Sequence, residues 1–454
     1  MTAQKKQKRL FGTNGVRGVA GKDITPELAF SIGRALGYLR KGRIAVGRDT
    51  RTSGEMLSKA LKAGLLATGC DVYDCGILPT PALQYLVRDG YDGGAVITAS
   101  HNPPEYNGVK IIEPDGTEMG DEETLQLEDL IFSPARPLTT WDQAGQETQL
   151  PDGTGRYIEG ILNHFTGSPG KGMTVVVDPG SGPACITTPK ILEGLGCRVL
   201  TVNGIMDGTF PGRLPEPSLE GLKNLADLVV SSRASFGVAH DGDADRAVFV
   251  DENGQFIEEN AEFAIIVQDI CRRKKGIVVT PVSSGQVVEE AARREGSSIW
   301  YTPVGSIYVA RTMRTLMERG EPVILGGEGN GGLIFPDHQF CRDGGMTAAM
   351  MVSLLATSKK KVSELARELP QRHIIKDRIV AKKGAEILAG LIRHYPDSRI
   401  DMTDGVKIYK GDAWALVRAS GTEPIIRIII DAKTPSEGKA LYKDIKARLQ
   451  SMVG

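Results

Sequence analysis

The stretch Ile44–Asp74, IAVGRDTRTSGEMLSKALKAGLLATGCDVYD, changes its apolar period twice. Ile44–Gly47 is short and β-branched. Arg48–Gly54 is a polar loop with two arginines. Glu55–Thr68 spaces its apolar residues as a helix does, Gly69 stops it, and Asp71–Asp74 returns to strand character. A switch from strand to helix and back reads as a βαβ unit, whose strands must run parallel because the helix carries the chain back across the sheet.

The same pattern recurs twice downstream. Thr174–Val177 leads through DPGSGPA into Thr188–Leu195, Gly196 and the strand Arg198–Val202. Ile277–Thr280 leads through PVSSG into Gln286–Arg294, Gly296 and Ser298–Tyr301. Units so far apart imply separate α/β domains rather than a solenoid. Ser133–Gly155, rich in Pro, Thr, Asp, Gly and Gln, reads as a linker. Past Leu369–Lys376 the pattern changes to strands at Ala413–Arg418 and Ile425–Ile430 and an amphipathic stretch Ser436–Leu449, a smaller α+β domain. The expected division is 1–152, 153–254 and 255–369 for three related α/β domains with mixed, mostly parallel sheets, and 370–454 for the fourth domain.

Composition narrows the function. The 454 residues carry a formal charge of -1, so no global field recruits nucleic acid or a membrane surface. No apolar run approaches the roughly 18 residues of a membrane span, and no apolar core follows the basic N-terminal residues, so a cytoplasmic protein is expected. The six cysteines are scattered without a C-x-x-C pair and fit neither a disulfide framework nor a zinc site.

Five motifs carry the chemistry. TASHNP, Thr98–Pro103, follows the apolar Ala95–Ile97, which places Ser100 and His101 just beyond a strand end, where open α/β sheets bind ligands. Asn107, Gly108 and Lys110 follow closely. DGDADR, Asp241–Arg246, lies between two strand-like runs and sets three carboxylates at alternate positions, a donor set for a hard divalent cation. Without a cation, at least one of three such crowded acids becomes harder to ionise. An EF-hand is excluded, because the sixth place holds Arg246 where Gly is needed. A phosphatase-type nucleophilic Asp fits three crowded acids less well.

GGEGNGG, Gly326–Gly332, contains G-x-G-x-x-G, but Leu333–Phe335 and Pro336 cannot open the helix that a dinucleotide site requires. It reads instead as a loop offering Glu328 and Asn330 to hydroxyl groups. RASGTEPIIR, Arg418–Arg427, places Ser420, Gly421 and Thr422 between two arginines, a phosphate cradle of guanidinium and backbone N–H groups. FGTNGVRG, Phe11–Gly18, adds Thr13 and Arg17. No P-loop is present, so nucleotide phosphate is not indicated.

In this order, TASHNP, DGDADR, the Gly-Glu loop and RASGTEP resemble the α-D-phosphohexomutase family over essentially the whole chain. FGTNGVRG, GGEGNGG and CRDGGM are most similar to its archaeal-type phosphoglucosamine mutases. The resemblance implies three α/β domains and a TATA-binding-protein-like fourth around a cleft. It implies a phosphoserine at Ser100 and Mg²⁺ held by that phosphoserine with Asp241, Asp243 and Asp245. Arg17 and Arg246 would lie near the moving phosphate, and Lys110 and His101 would be candidates for proton transfer. Glu328, Asn330 and Gly305 of TPVG would contact the sugar, and Arg418, Ser420, Gly421, Thr422 and Arg427 the distal phosphate, with Thr13 near the substrate. The substrate would be a small hexose phosphate. The reaction would interconvert glucosamine 6-phosphate and glucosamine 1-phosphate, or the mannose or glucose phosphates, through a hexose 1,6-bisphosphate. A non-catalytic sugar-phosphate or Ca²⁺-binding protein is the reading outside enzymes. Many relatives carry G-E-x-S-G-H in the Glu loop. Here Asn330 and Gly332 stand in the Ser and His places, which shifts proton transfer toward Lys110 or His101. Oligomeric state is not encoded in any recognisable pattern.

Overall fold

The structure, a computed structural model, describes residues 8–453 apart from 13, 135–136, 382 and 421–423. The expectations placed on Thr13, Gly421 and Thr422 therefore lie outside the described residues.

The three βαβ readings hold. Arg43–Arg48 pairs parallel with Asp71–Ile77 across the helix Gly54–Leu66. Thr174–Asp178 pairs parallel with Arg198–Thr201, and Ile277–Pro281 with Ser298–Thr302. The first sheet runs Val16–Val19, Tyr106–Ile112, Gly93–Ile97, Arg43–Arg48, Asp71–Ile77, Glu147–Gln149. Its two outer pairings on the Val16 side are antiparallel and the rest parallel. The second sheet joins an antiparallel hairpin, Phe236–His240 with Ala247–Asp251, to the parallel pair around Thr174–Asp178. The third sets Ile277–Pro281 between Ser298–Thr302 and Val323–Glu328, all parallel. The last is a five-stranded antiparallel sheet from His373–Val380 to Ile400–Asp401, covered by the helices Gly384–Ile392 and Pro435–Val453. The fold is thus α/β with mixed, mostly parallel sheets and a C-terminal antiparallel domain.

Central strands are buried on both faces, as helices on each side of a parallel sheet require. Gly93–Ile97 and Phe236–His240 have no exposed residue. Two glycines let the helices Pro26–Arg40 and Gly54–Leu66 touch. A Cβ at Gly33 would lie 2.0 Å from the Leu61 carbonyl oxygen, and one at Gly64 2.2 Å from that of Phe30. The linker reading of Ser133–Gly155 misses one element: Glu147–Gln149 adds a parallel edge strand to Asp71–Ile77.

The chain forms two compact units. The first comprises 1–257 and 331–363, the second 258–330 and 364–454. Gly331–Ser363, which contains the buried helix Gly344–Ser358, belongs to the first unit although it follows the strand Val323–Glu328 of the third sheet. All six cysteines are free thiols.

Candidate active site

Strand Gly93–Ile97 ends at Thr98, whose hydroxyl donates to Asp49 Oδ2 at 2.6 Å and accepts from the Ser100 N–H at 2.9 Å. Ser100 sits in the left-handed region with φ 50° and is 1% exposed. The neighbouring antiparallel strand Tyr106–Ile112 sets Lys110 opposite Val96, and its other neighbour sets Arg17 opposite Gly108. Arg17 donates to Asn102 Oδ1 at 3.2 Å.

The hairpin register His240↔Ala247 leaves Asp241–Arg246 as the connecting loop, which Ala244 turns with φ 59°. The loop meets the serine directly. Ser100 Oγ donates to Asp241 Oδ2 at 2.8 Å. Lys110 Nζ lies 2.8 Å from Asp243 Oδ2 and 3.3 Å from Asp245 Oδ2. Arg246 binds Asp241 through Nε at 3.2 Å and forks both terminal nitrogens onto the Glu216 carboxylate at 3.1 and 3.0 Å. Ser100, Lys110, the three aspartates and Arg246 thus form one buried cluster, with the half-buried Arg17 and the exposed His101 at its edge.

The carboxylates fit a divalent cation. One oxygen from each of Asp241, Asp243 and Asp245 lies within 4.8 Å of the others. Asp243 Oδ1 and Asp245 Oδ1 are buried and lack a hydrogen-bond partner, though their Oδ2 atoms are fully engaged. Such orphaned carboxylate oxygens are costly unless an ion takes them. Oxygen donors of this kind, with the serine hydroxyl alongside, suit Mg²⁺.

The electrostatics show the strain expected of three crowded acids. Burial and the neighbouring Asp245 carboxylate push Asp241 up to about 7. Asp243 stays well below the ordinary carboxylate range, because Lys110 and Thr80 outweigh its burial. Asp245 is also held low, with Arg342 overcoming burial. Burial would pull the Lys110 ammonium down, but Asp243 and Asp245 hold it above the usual lysine value. His101 Nδ1 is 3.4 Å from Ser100 Oγ, and burial followed by the Arg246 charge lowers it to about 4, so its imidazole is neutral at pH 7.

Three partners escaped the sequence reading. Thr80 Oγ1 donates to Asp243 Oδ2 at 2.6 Å, Glu216 anchors Arg246, and Arg342 ion-pairs with Asp245 at 2.5 Å. CRDGGM was notable only as a resemblance, and contacts across 97 positions leave no local signal.

The second unit carries the remaining residues. Glu328 ends the strand Val323–Glu328, and Asn330 N–H donates back to its carbonyl at 2.7 Å. Gly329 is required by close approach, since a Cβ there would lie 1.9 Å from Asn260 Oδ1. Gly305, with φ 136°, precedes the helix Ser306–Glu318. Arg418 and Arg427 face each other across the antiparallel pair, and Ser420 N–H donates to the Ile425 carbonyl at 2.9 Å. Asp404, also unforeseen, ties two of these regions together. It accepts from Val304 N–H at 3.0 Å and lies 2.7 Å from Arg418 Nε.

Comparison with known proteins decides the family. Profiles described as phosphoglucomutase/phosphomannomutase match throughout: alpha/beta/alpha domain I over 8–136, II over 155–254, III over 258–373, and the C-terminal domain over 357–448. The phosphoglucomutase/phosphomannomutase of Thermococcus kodakarensis is 47% identical over 450 residues, 95% of this chain and 96% of that protein. The chain belongs to the α-D-phosphohexomutase family. A second relative of this phosphohexomutase is the phosphoglucosamine/phosphogalactosamine mutase of Sulfurisphaera tokodaii, 39% identical, covering 96% of this chain and 98% of that one. Among solved structures, a phosphoglucomutase/phosphomannomutase family protein from Burkholderia thailandensis superposes with a TM-score of 0.85 at 26% identity, over 97% of each chain. The chain is accordingly an isomerase of the phosphohexomutase type. Among the described residues, no helix of this phosphohexomutase is long and apolar enough to cross a membrane.

Proposed function

We propose that this phosphohexomutase interconverts glucosamine 6-phosphate and glucosamine 1-phosphate through a phosphoserine at Ser100. One observation carries the reading: the Ser100 hydroxyl lies 2.8 Å from Asp241, beside two buried carboxylate oxygens without hydrogen-bond partners. The glucosamine assignment is supported by the name of the Sulfurisphaera relative and by the archaeal-type motifs. The name of the 47% identical Thermococcus relative favours a second reading, a phosphomannomutase/phosphoglucomutase.

In the first half-reaction the bond between phosphorus and Ser100 Oγ breaks as a bond forms to the free hydroxyl oxygen of a hexose monophosphate. The proton of that hydroxyl passes to the departing Ser100 oxygen, which regains its hydroxyl, and a hexose 1,6-bisphosphate results. In the second half, the other phosphoryl group returns to Ser100, whose hydroxyl proton passes to the departing sugar oxygen. Added hexose 1,6-bisphosphate would prime a serine that had lost its phosphate. Asp241, Asp243 and Asp245, with the phosphoserine, would hold Mg²⁺, which when bound offsets charge on the phosphoryl oxygens. Arg17 and Arg246 orient the phosphoryl group. Lys110 supplies a fixed positive charge, its ammonium engaged by two carboxylates. His101, 3.4 Å from Ser100 Oγ, is the better placed of the two proton-transfer candidates. Glu328, Asn330 and Gly305 would meet sugar hydroxyls, and Arg418, Ser420, Gly421, Thr422 and Arg427 the distal phosphate, with Thr13 near the substrate. Four domains, at 1–152, 153–254, 255–369 and 370–454, would each contribute one of these loops. The partner is a small sugar phosphate, and the setting is cytoplasmic.

Ser100→Ala tests the carrier. The variant is expected to lose mutase turnover, and intact-mass spectra to lose the species heavier by one phosphate. Full turnover by the variant refutes the assignment. Assaying glucosamine, mannose and glucose phosphates side by side, primed with bisphosphate, decides between the two substrate readings. A clear kcat/KM advantage for mannose or glucose phosphate would replace the first with the second.

A further inference from the structure

Arg51 is 1% exposed, and none of its guanidinium hydrogen bonds goes to the carboxylate triad. A guanidinium has five N–H donors, and in Arg51 all are used. Nε donates to Asp49 Oδ2 at 3.1 Å. One terminal nitrogen donates to the carbonyls of Pro103 and Tyr106 at 2.6 and 2.8 Å. The other donates to those of Ser100 and Asn102 at 2.8 and 2.6 Å. Four of its five acceptors therefore belong to the single turn Ser100–Tyr106.

The same short loop holds the other side of the serine. Asp49 Oδ2 accepts from Thr98 Oγ1, which accepts in turn from the Ser100 N–H. Both peptide groups of Ser100 thus trace back to Asp49 and Arg51. Ser100 occupies φ 50°, a conformation that strains a non-glycine residue and persists only where its surroundings over-determine it. The carbonyl that Arg51 holds also lies against the aspartate loop: a Cβ at Gly242 would be 2.3 Å from Ser100 O. On its far side the Asp49–Arg51 loop is tied to the second α/β layer, with Thr50 Oγ1 donating to Ser181 O at 3.0 Å and Arg51 bridged to Gly208.

We propose that Arg51 is a positioning residue for the phosphoryl-carrying serine. Its five-bond clamp turns the carbonyls of Ser100–Tyr106 inward and so keeps the left-handed backbone that aims Ser100 Oγ at Asp241. The inference rests on Ser100 being the carrier. A lysine could not replace Arg51, because three donors on one nitrogen cannot span four carbonyls and a carboxylate.

The test compares Arg51→Lys with wild type and with Ser100→Ala. It measures kcat, KM for the hexose monophosphate, the rate of phosphate incorporation from hexose 1,6-bisphosphate by intact mass, and Mn²⁺ binding by electron paramagnetic resonance. Misplacing a reacting atom by an ångström costs on the order of 100-fold, so Arg51→Lys is expected to lose about that factor in kcat and in phosphate incorporation. KM and Mn²⁺ affinity should stay near wild type. Should Arg51→Lys fail to fold, Thr98→Val, which removes the hydroxyl that links the Ser100 N–H to Asp49, is expected to lower phosphate incorporation about tenfold with KM unchanged. Wild-type phosphate incorporation in the folded variant overturns the inference, as does a parallel loss of kcat, substrate affinity and Mn²⁺ binding. An inactive Ser100→Ala beside a fully active Arg51→Lys removes the inference alone. A fully active Ser100→Ala removes the serine carrier with it.

Discussion

Each aspartate of the triad divides its work between its two oxygens. Asp243 gives Oδ2 to Lys110 and Thr80 and keeps Oδ1 buried and unpartnered. Asp243→Asn removes the charge while preserving the shape. Outer-shell changes alone cost metal sites roughly 10–100-fold, so losing a charged donor should weaken Mn²⁺ binding by at least about tenfold. Electron paramagnetic resonance titration of the variant checks this, and an unchanged affinity would place the ion elsewhere. Ser100, His101 and the three aspartates were legible because each sits in a loop beyond a strand end, with a residue pattern that means something locally, and Lys110 because it follows TASHNP closely, on the strand Tyr106–Ile112. Arg51, Thr80, Glu216 and Arg342 were not. Their contacts reach partners dozens to hundreds of positions away, and an isolated arginine or threonine looks the same whether it lies on the surface or beneath Ser100.

At the scale of elements, the βαβ units were readable because their apolar period changes at both ends of each helix. The strand Glu147–Gln149 was not, because its three residues are exposed and polar, with no buried face to impose alternation. The C-terminal sheet hides a subtler feature. Lys407, 1% exposed on strand Val406–Lys410, donates to the Val282 carbonyl at 2.8 Å and lies 3.9 Å from the Trp414 ring centroid, with Tyr301 and Tyr409 at 5.2 and 5.5 Å. Aromatic faces attract the ammonium but do not replace a carboxylate, and burial, opposed by Asp401 and Asp431, lowers its pKa to about 8. An unfolded lysine titrates near 10.4. Between those values the unfolded chain binds the extra proton, so stability rises from pH 8 toward 10.4 and is lower and flat, as far as this group is concerned, below pH 8. The gain is about 3 kcal/mol at most, taking 1.36 kcal/mol for each pH unit between the two titrations. Melting curves of wild type and Lys407→Met across this range should diverge in slope, the variant lacking the rise. Parallel curves would mean that Lys407 titrates normally.

The molecule as a whole does not follow the order of its sequence. The first unit is completed by Gly331–Ser363, whose helix Gly344–Ser358 is largely buried and begins at Asp343, an N-cap that also accepts from Tyr157 at 2.6 Å. A fragment ending at residue 257 would leave that surface bare. It is expected to show no sharp melting transition, whereas the full chain does, and a cooperative melt of the fragment would contradict the packing. This excursion could not be read from the sequence, since nothing in GGEGNGG or CRDGGM announces a change of partner. Lys110 has a consequence at the same scale. With its ammonium between Asp243 and Asp245, with Arg342 also on Asp245 and Arg246 on Asp241, the acidic pocket carries its own counter-ions. Chelation of a divalent ion held there should therefore silence turnover and lower the melting temperature, because the two orphaned oxygens lose their partner, without unfolding the chain. Were Mg²⁺ held there as proposed, its scarcity would idle the enzyme before it unravelled the fold.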